Sequence, residues 1–169
     1  MKKEWISHFF EQCAVIAKKS KDPSTKVAAI AVSPKSKWPK GTGFNGFPIG
    51  VEDDPQKVPE RYEKPEKYLW TCHAEQNLIA LAARYGVALE GCVMFCNLQT
   101  CVSCTALIIQ AGIVEVYCRS DEGTGDWRKD LPVSKTMYRE AGVKLYVFDE
   151  FGRCLKSSGT ESVLPWNND

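Results

Sequence analysis

The sequence predicts an α/β domain built on a mixed, mostly parallel sheet with helices on both faces. Three observations carry this. Short apolar strands alternate with amphipathic helices from about residue 73 to 148. An amphipathic helix and a strand pair precede that run. A length of 169 residues, 44% of them apolar, suits one packed core. Residues 1–150 therefore read as a single domain and 151–169 as a polar C-terminal tail.

Each element has its own signal. Trp5, Phe9, Cys13 and Ile16 recur at helical spacing, with Ile6, Phe10 and Ala17 beside them, so a helix spans about 2–19. Lys21-Asp22-Pro23-Ser24 breaks it. Lys26 to Ser33 is small, apolar and strand-like, and a second strand runs through Gly41–Asn45. From Gly46 to Trp70, Pro48, Pro55, Pro59 and Pro65 interrupt any period, and a connection of this length suggests a binding loop or lid. A helix over about 73–85 follows, with Gly86 as its terminator. Then come a strand at 92–97, a helix at 101–111 ending at Gly112, and a strand at 113–118. Gly123 and Gly125 mark a loop before a helix at 131–141 and a strand at 143–148. No internal repeat or domain linker is visible.

Charge narrows the partners. Lys+Arg 22 against Asp+Glu 21 leaves a net charge of +1, with no bulk attraction to a polynucleotide or an anionic membrane. No apolar run approaches the ~20 residues of a membrane span, and Met1-Lys-Lys-Glu-Trp5 opens an amphipathic helix, not a signal peptide. The eight cysteines do not fit the disulfide framework of a small secreted chain. A reduced, cytoplasmic protein is expected, in which Cys13, Cys72, Cys92, Cys96, Cys118 and Cys154 are buried or incidental thiols. Cys72 abuts His73 and is expected to line the site without being a ligand.

Cys101-Val-Ser-Cys104 has metal-ligand spacing and opens a predicted helix; His73-Ala-Glu75 opens another. If both helices start at one edge of the sheet, an imidazole and two thiolates meet there. That gives three zinc ligands and an open fourth position, the arrangement of a catalytic site. The first turn of a helix also favours thiolates. Glu75 stands two residues from His73, placed to exchange a proton with an activated water without being a ligand. His-x-Glu followed by Cys-x-x-Cys is the signature of zinc deaminases. A zinc site that only staples two helices, or a thioredoxin-like dithiol, would leave Glu75 without a role. His8, beside Phe9, reads as an ordinary helix residue.

Ser20-Lys-Asp-Pro-Ser-Thr-Lys-Val27, Gly43-Phe-Asn-Gly-Phe-Pro48 with Gly50, Cys72-His-Ala-Glu-Gln-Asn77 and Leu107-Ile-Ile-Gln-Ala-Gly-Ile113 carry a resemblance. In this order, over about residues 5–148, the chain resembles the deoxycytidylate (dCMP) deaminase family within the cytidine deaminase superfamily. The resemblance implies a three-layer α/β/α domain around a five-stranded sheet, in a homo-oligomer, that converts dCMP to dUMP hydrolytically. It implies one zinc ion per chain on His73, Cys101 and Cys104, with Glu75 as proton shuttle. Substrate contacts implied are Asn45 at the sugar, Ala74 at the helix start, and Lys26 and Arg61 as candidate phosphate cations. Arg84 matches a position near a subunit boundary.

One departure is informative. The family has proline before the first zinc cysteine, where this chain has Thr100, which is expected to cap the helix by accepting the Ser103 N–H. The change borders the pocket. It leaves open a modified cytosine nucleotide, a cytosine nucleoside or another phosphorylation state as substrate. Adenosine in tRNA and a non-catalytic zinc module are the further alternatives.

Overall fold

A computed structural model describes residues 1–120, 126–149 and 154–158. In chain order the elements are α1 (Lys3–Ala17), β1 (Ala28–Val32), β2 (Pro39–Phe44), α2 (Lys67–Trp70) and α3 (Ala74–Arg84). There follow β3 (Val93–Cys96), α4 (Val102–Gln110), β4 (Glu115–Arg119), α5 (Leu131–Glu140), β5 (Lys144–Phe148) and β6 (Cys154–Ser158). The strands form one sheet in the order β2-β1-β3-β4-β5-β6. β3, β4 and β5 are parallel; β1 is antiparallel to both β2 and β3, and β6 is antiparallel to β5.

The sheet therefore has six strands where five were expected. β6 lies inside the segment read as a polar tail, pairing Leu145 with Ser158 and Phe148 with Cys154. Its residues carry little apolar periodicity of their own; what forms the strand is the row of backbone groups along the edge of β5. The loop predicted around Gly123 and Gly125 lies outside the described residues.

Alternate residues of the central strands enter two cores. One face presents Ala28, Ile30, Val32, Val93, Phe95 and Tyr117 to Ile6, Phe9, Phe10 and Cys13 of α1. Phe9, Phe95, Tyr117 and Tyr146 continue across it as an aromatic row with centroids 4.7–5.0 Å apart. The other face presents Ala29, Ala31, Met94, Cys96, Val116 and Cys118 to Leu78 and Ala82 of α3, Ile108 of α4 and Tyr138 of α5. Every residue of β1 and β3 is buried, as strands covered on both sides must be.

Gly43 sets how closely α3 approaches. A Cβ there would lie 2.2 Å from the Ala74 carbonyl and 2.6 Å from the Leu78 nitrogen, both main-chain atoms. Only glycine lets β2 touch the first turn of α3. The segment from Gly46 to Trp70 is not without structure: Pro59–Tyr62 forms a 3-10 turn, α2 closes the segment, and Gly46 pairs with Cys72 at its base. No helix among the described residues is long and apolar enough to cross a membrane.

Candidate active site

His73 and Cys101 occupy equivalent places, each the extended residue immediately before a helix: φ −71°, ψ 159° ahead of α3, and φ −74°, ψ 171° ahead of α4. Cys104 follows in the first turn of α4. The first N–H groups of a helix have no partner within it, and the dipole there favours negative charge, so thiolates are stabilised. Cys101 makes no capping bond with its own side chain, which leaves its sulfur available. At α3, the Gln76 side chain accepts the His73 backbone N–H at 2.8 Å and fixes the helix start.

His73 Nδ1 lies 3.4 Å from both Cys101 Sγ and Cys104 Sγ, and the three atoms fall within 4.8 Å of one another. Bonds of about 2.3 Å to sulfur and about 2.0–2.1 Å to nitrogen, at tetrahedral angles, put S···N edges at about 3.5 Å. The two S···N separations of 3.4 Å match that edge, so the imidazole Nδ1 and the two sulfurs could hold a zinc ion. The donor set fits zinc in chemistry as well as in size.

Electrostatics at this corner favours one thiolate, that of Cys101. The Cys104 thiol, hydrogen-bonding to Cys101, lowers the Cys101 pKa to about 3 against the opposing effect of burial, and His73 and Ser103 assist. Cys104, holding the shared proton and desolvated, is pushed far up. Glu75 is buried at the second position of α3. Desolvation raises its pKa above the usual carboxylate range, while its own backbone N–H and His73 pull the other way. A carboxyl so placed holds a proton readily, which suits general acid and base work.

Residues 3–120 match the family described as the cytidine and deoxycytidylate deaminase zinc-binding region, a span that contains the whole trio and Glu75. The chain belongs to that family. This deaminase is similar to the deoxycytidylate deaminase of Homo sapiens, 38% identical over 147 residues covering 86% of this chain and 80% of the human one. An uncharacterized deaminase of Aliivibrio fischeri is 38% identical over 84% of this chain and 92% of its own length. The crystal structure of the dCMP deaminase from cyanophage S-TIM5, in complex with dCMP and dUMP, superposes with a TM-score of 0.67 at 26% identity. It covers 88% of this chain and 99% of the phage chain.

The remaining expected contacts fall into distinct settings in the deaminase. Asn45 is buried, and its amide is engaged: Oδ1 accepts the Val27 N–H at 2.8 Å and Nδ2 donates to the Thr25 carbonyl at 2.9 Å. Lys26 lies between those two residues and is exposed. The Arg61 guanidinium stacks 3.9 Å above the Trp70 ring and donates to the Glu52 carbonyl. Ala74 has a fully buried side chain, so any contact it makes comes from its backbone at the start of α3. Arg84 is exposed beside Tyr85. Cys72 is half-buried and pairs through its backbone with Gly46. His8 is exposed on α1, 2.7 Å from Gln12.

Thr100 does not cap α4. It is buried, with its hydroxyl 2.8 Å from the Tyr138 hydroxyl and 3.0 Å from that of Thr105. A wholly buried tyrosine hydroxyl needs a partner, and that need turns Thr100 inward.

Two asparagines outside the expected set complete the frame. Asn97, at the end of β3, accepts the Ala28 N–H at 2.7 Å and donates to the Lys26 carbonyl at 3.0 Å. Asn77, four residues after His73 on α3, donates to the Phe44 carbonyl at 2.8 Å. Asn45 and Asn97 therefore grip residues 25–28 from both sides, adding amide side-chain bonds to those their backbone N–H groups donate to Val27 and Ala28. The available signal was position: each asparagine stands at the end of a strand or one helical turn from a ligand.

Proposed function

We propose that this deaminase hydrolyses dCMP to dUMP with release of ammonia, using His73, Cys101 and Cys104 to hold one zinc ion per chain and Glu75 to carry the proton. The observation that carries this is the convergence of Nδ1 and two sulfurs at zinc-sized separations beside a buried carboxyl. Its similarity to deoxycytidylate deaminases over most of the chain supports the substrate.

When bound, zinc supplies Lewis-acid activation of water. The protein does the rest. Glu75 takes a proton from the attacking water and delivers it to the departing amino nitrogen, so water adds at the carbon and ammonia leaves with balanced protons. The Ala74 backbone N–H, in the unsatisfied first turn of α3, offers a donor to the base. Asn45 keeps one amide hydrogen beyond its two backbone bonds, available to the sugar. Lys26, exposed on a backbone held by both asparagines, is the preferred phosphate cation. Arg61, already stacked and bonded within the 46–70 segment, is the second. The free thiols from Cys13 through Cys118 suit a reducing cytoplasm. Exposed Tyr85, just past the end of α3, and exposed Leu107 on α4 suit a homo-oligomer of this chain.

Rates of the zinc-loaded protein on dCMP, deoxycytidine and dCTP test the reading. The expected result is the highest kcat/KM for dCMP. A preference for deoxycytidine or dCTP reassigns the substrate, and no turnover on any of the three removes the deaminase reading.

A further inference from the structure

The two threonines that bracket the metal-binding run both face the core. Thr100 immediately precedes Cys101 and Thr105 immediately follows Cys104, and they are 3% and 0% exposed. The Thr100 hydroxyl lies 3.0 Å from that of Thr105 and 2.8 Å from that of Tyr138, itself wholly buried on α5. One string of hydroxyls therefore fixes both ends of the segment that carries the two sulfurs, and anchors it to a different helix. The string lies in an otherwise apolar layer of Ile108, Val116 and Leu145.

Three buried hydroxyls are a costly way to fill that layer, since each must find a partner or lose its hydration without return. Apolar groups of the same shape would pack as well. What the hydroxyls add is direction: Tyr138 can satisfy Thr100 only if the turn before α4 stands at one height against α5. Ser134, one turn before Tyr138, has a buried hydroxyl with no partner among the described residues. With Thr100, Tyr138 and Leu145 it lines a small cavity with room for about one water molecule. The polar island thus continues along α5.

We propose that the Thr100–Thr105–Tyr138 string is a positioning device for the two zinc thiolates, setting the height and spacing at which Cys101 and Cys104 meet His73. This rests on the reading that the trio holds zinc. Tyr138 touches neither metal nor substrate and acts through the α4 start. Outer groups that orient ligands typically govern metal affinity by about 10–100-fold.

The test uses Thr100→Val, Tyr138→Phe and the double variant, each loaded with cobalt(II) in place of zinc. Visible absorption of the bound cobalt and release to a chromophoric chelator are the readouts. Each single variant is expected to lose about 10–100-fold in metal affinity and to show shifted cobalt bands. The double variant strands only the Thr105 hydroxyl, where Thr100→Val alone strands those of Thr105 and Tyr138, so it is more thermally stable than Thr100→Val while its metal affinity stays low. A folded double variant with wild-type bands and wild-type release overturns the inference alone. A wild-type chain that takes up no cobalt overturns the metal reading, and this inference with it.

Discussion

The two helix starts that carry the trio and the segment 46–70 meet at the Gly46–Cys72 pairing, yet different forces hold them. The corner is organised by local geometry. The three-residue spacing of Cys101 and Cys104 and the two-residue spacing of His73 and Glu75 each fall at a helix N-terminus, and main-chain packing at Gly43 holds α3 against the sheet. The segment is organised by charge over long separations in sequence. Lys67 makes a buried ion pair with Asp22 at 2.9 Å and hydrogen-bonds Ser24, while Lys21 pairs with Asp53 in more solvent. Phe47 stacks on Tyr62 at 4.8 Å, and Arg61 covers Trp70. Sequence chemistry that repeats over a few residues can be seen in a line of text; chemistry between residues 22 and 67 cannot.

The largest effect expected at the corner comes from Glu75→Gln. The amide keeps the size and loses the basicity, so turnover should fall by about 10²–10⁴-fold, the usual worth of a positioned general acid and base. Zinc content, measured on the same preparation, should stay at wild-type stoichiometry because Glu75 is not among the three donors. Full activity in this variant would take the proton-transfer role from Glu75 and assign it to another group.

For the segment, the corresponding break is Lys67→Met. Removing one partner of a buried pair leaves an uncompensated carboxylate, at a cost of about 3–5 kcal/mol of stability measured by urea unfolding. The double variant Asp22→Asn with Lys67→Met should recover much of that, since the amide oxygen introduced at position 22 can still accept the Ser24 and Thr25 N–H groups. The pH dependence follows from Asp22. Burial raises its pKa, but the Lys67 ammonium and the Ser24 and Thr25 donors outweigh that and hold it below the ordinary value. A depressed carboxylate contributes fully above its unfolded pKa of about 3.9, and the contribution is lost as pH falls through the folded value. The stability gap between wild type and Asp22→Asn should therefore be flat near neutrality and close only below about pH 4.

These contrasts explain what could be read beforehand. The helices and central strands were legible because each repeats its own apolar period, and the trio with Glu75 was legible because its spacings are local. β6 was not, since its pairing is specified by the edge of β5. Thr100 was read as a cap because Thr at a helix start usually is one; the buried Tyr138, 38 residues away, decided otherwise. Asn97 and Lys67 carried no pattern at all, and their roles exist only once β1 and the Asp22 turn are folded beside them.

Gly43→Ala brings the comparison back to the corner with a smaller expected effect. The new Cβ would overlap the Ala74 carbonyl and the Leu78 nitrogen, and main-chain atoms yield less easily than side chains. A loss of about 1–3 kcal/mol is expected from the forced separation. Because α3 carries His73 and Glu75, zinc affinity should fall with stability. A variant that loses stability but binds zinc as tightly as wild type would show that the corner does not depend on how α3 seats on β2.

The smallest and most discriminating pair is Asn45→Ala against Asn97→Ala. Each loses two backbone hydrogen bonds around residues 25–28, so thermal or urea stability should fall by about 1–3 kcal/mol in both, with Asn97, the more exposed, at the lower end. If Asn45 also holds the sugar, its variant should lose more in kcat/KM than the Asn97 variant does for the same stability loss. Equal losses would make Asn45 a clamp and nothing else. Substrate position would then depend on the backbone from Thr25 to Ala28, with Lys26 carried on it, and sugar recognition would pass to another group of the site.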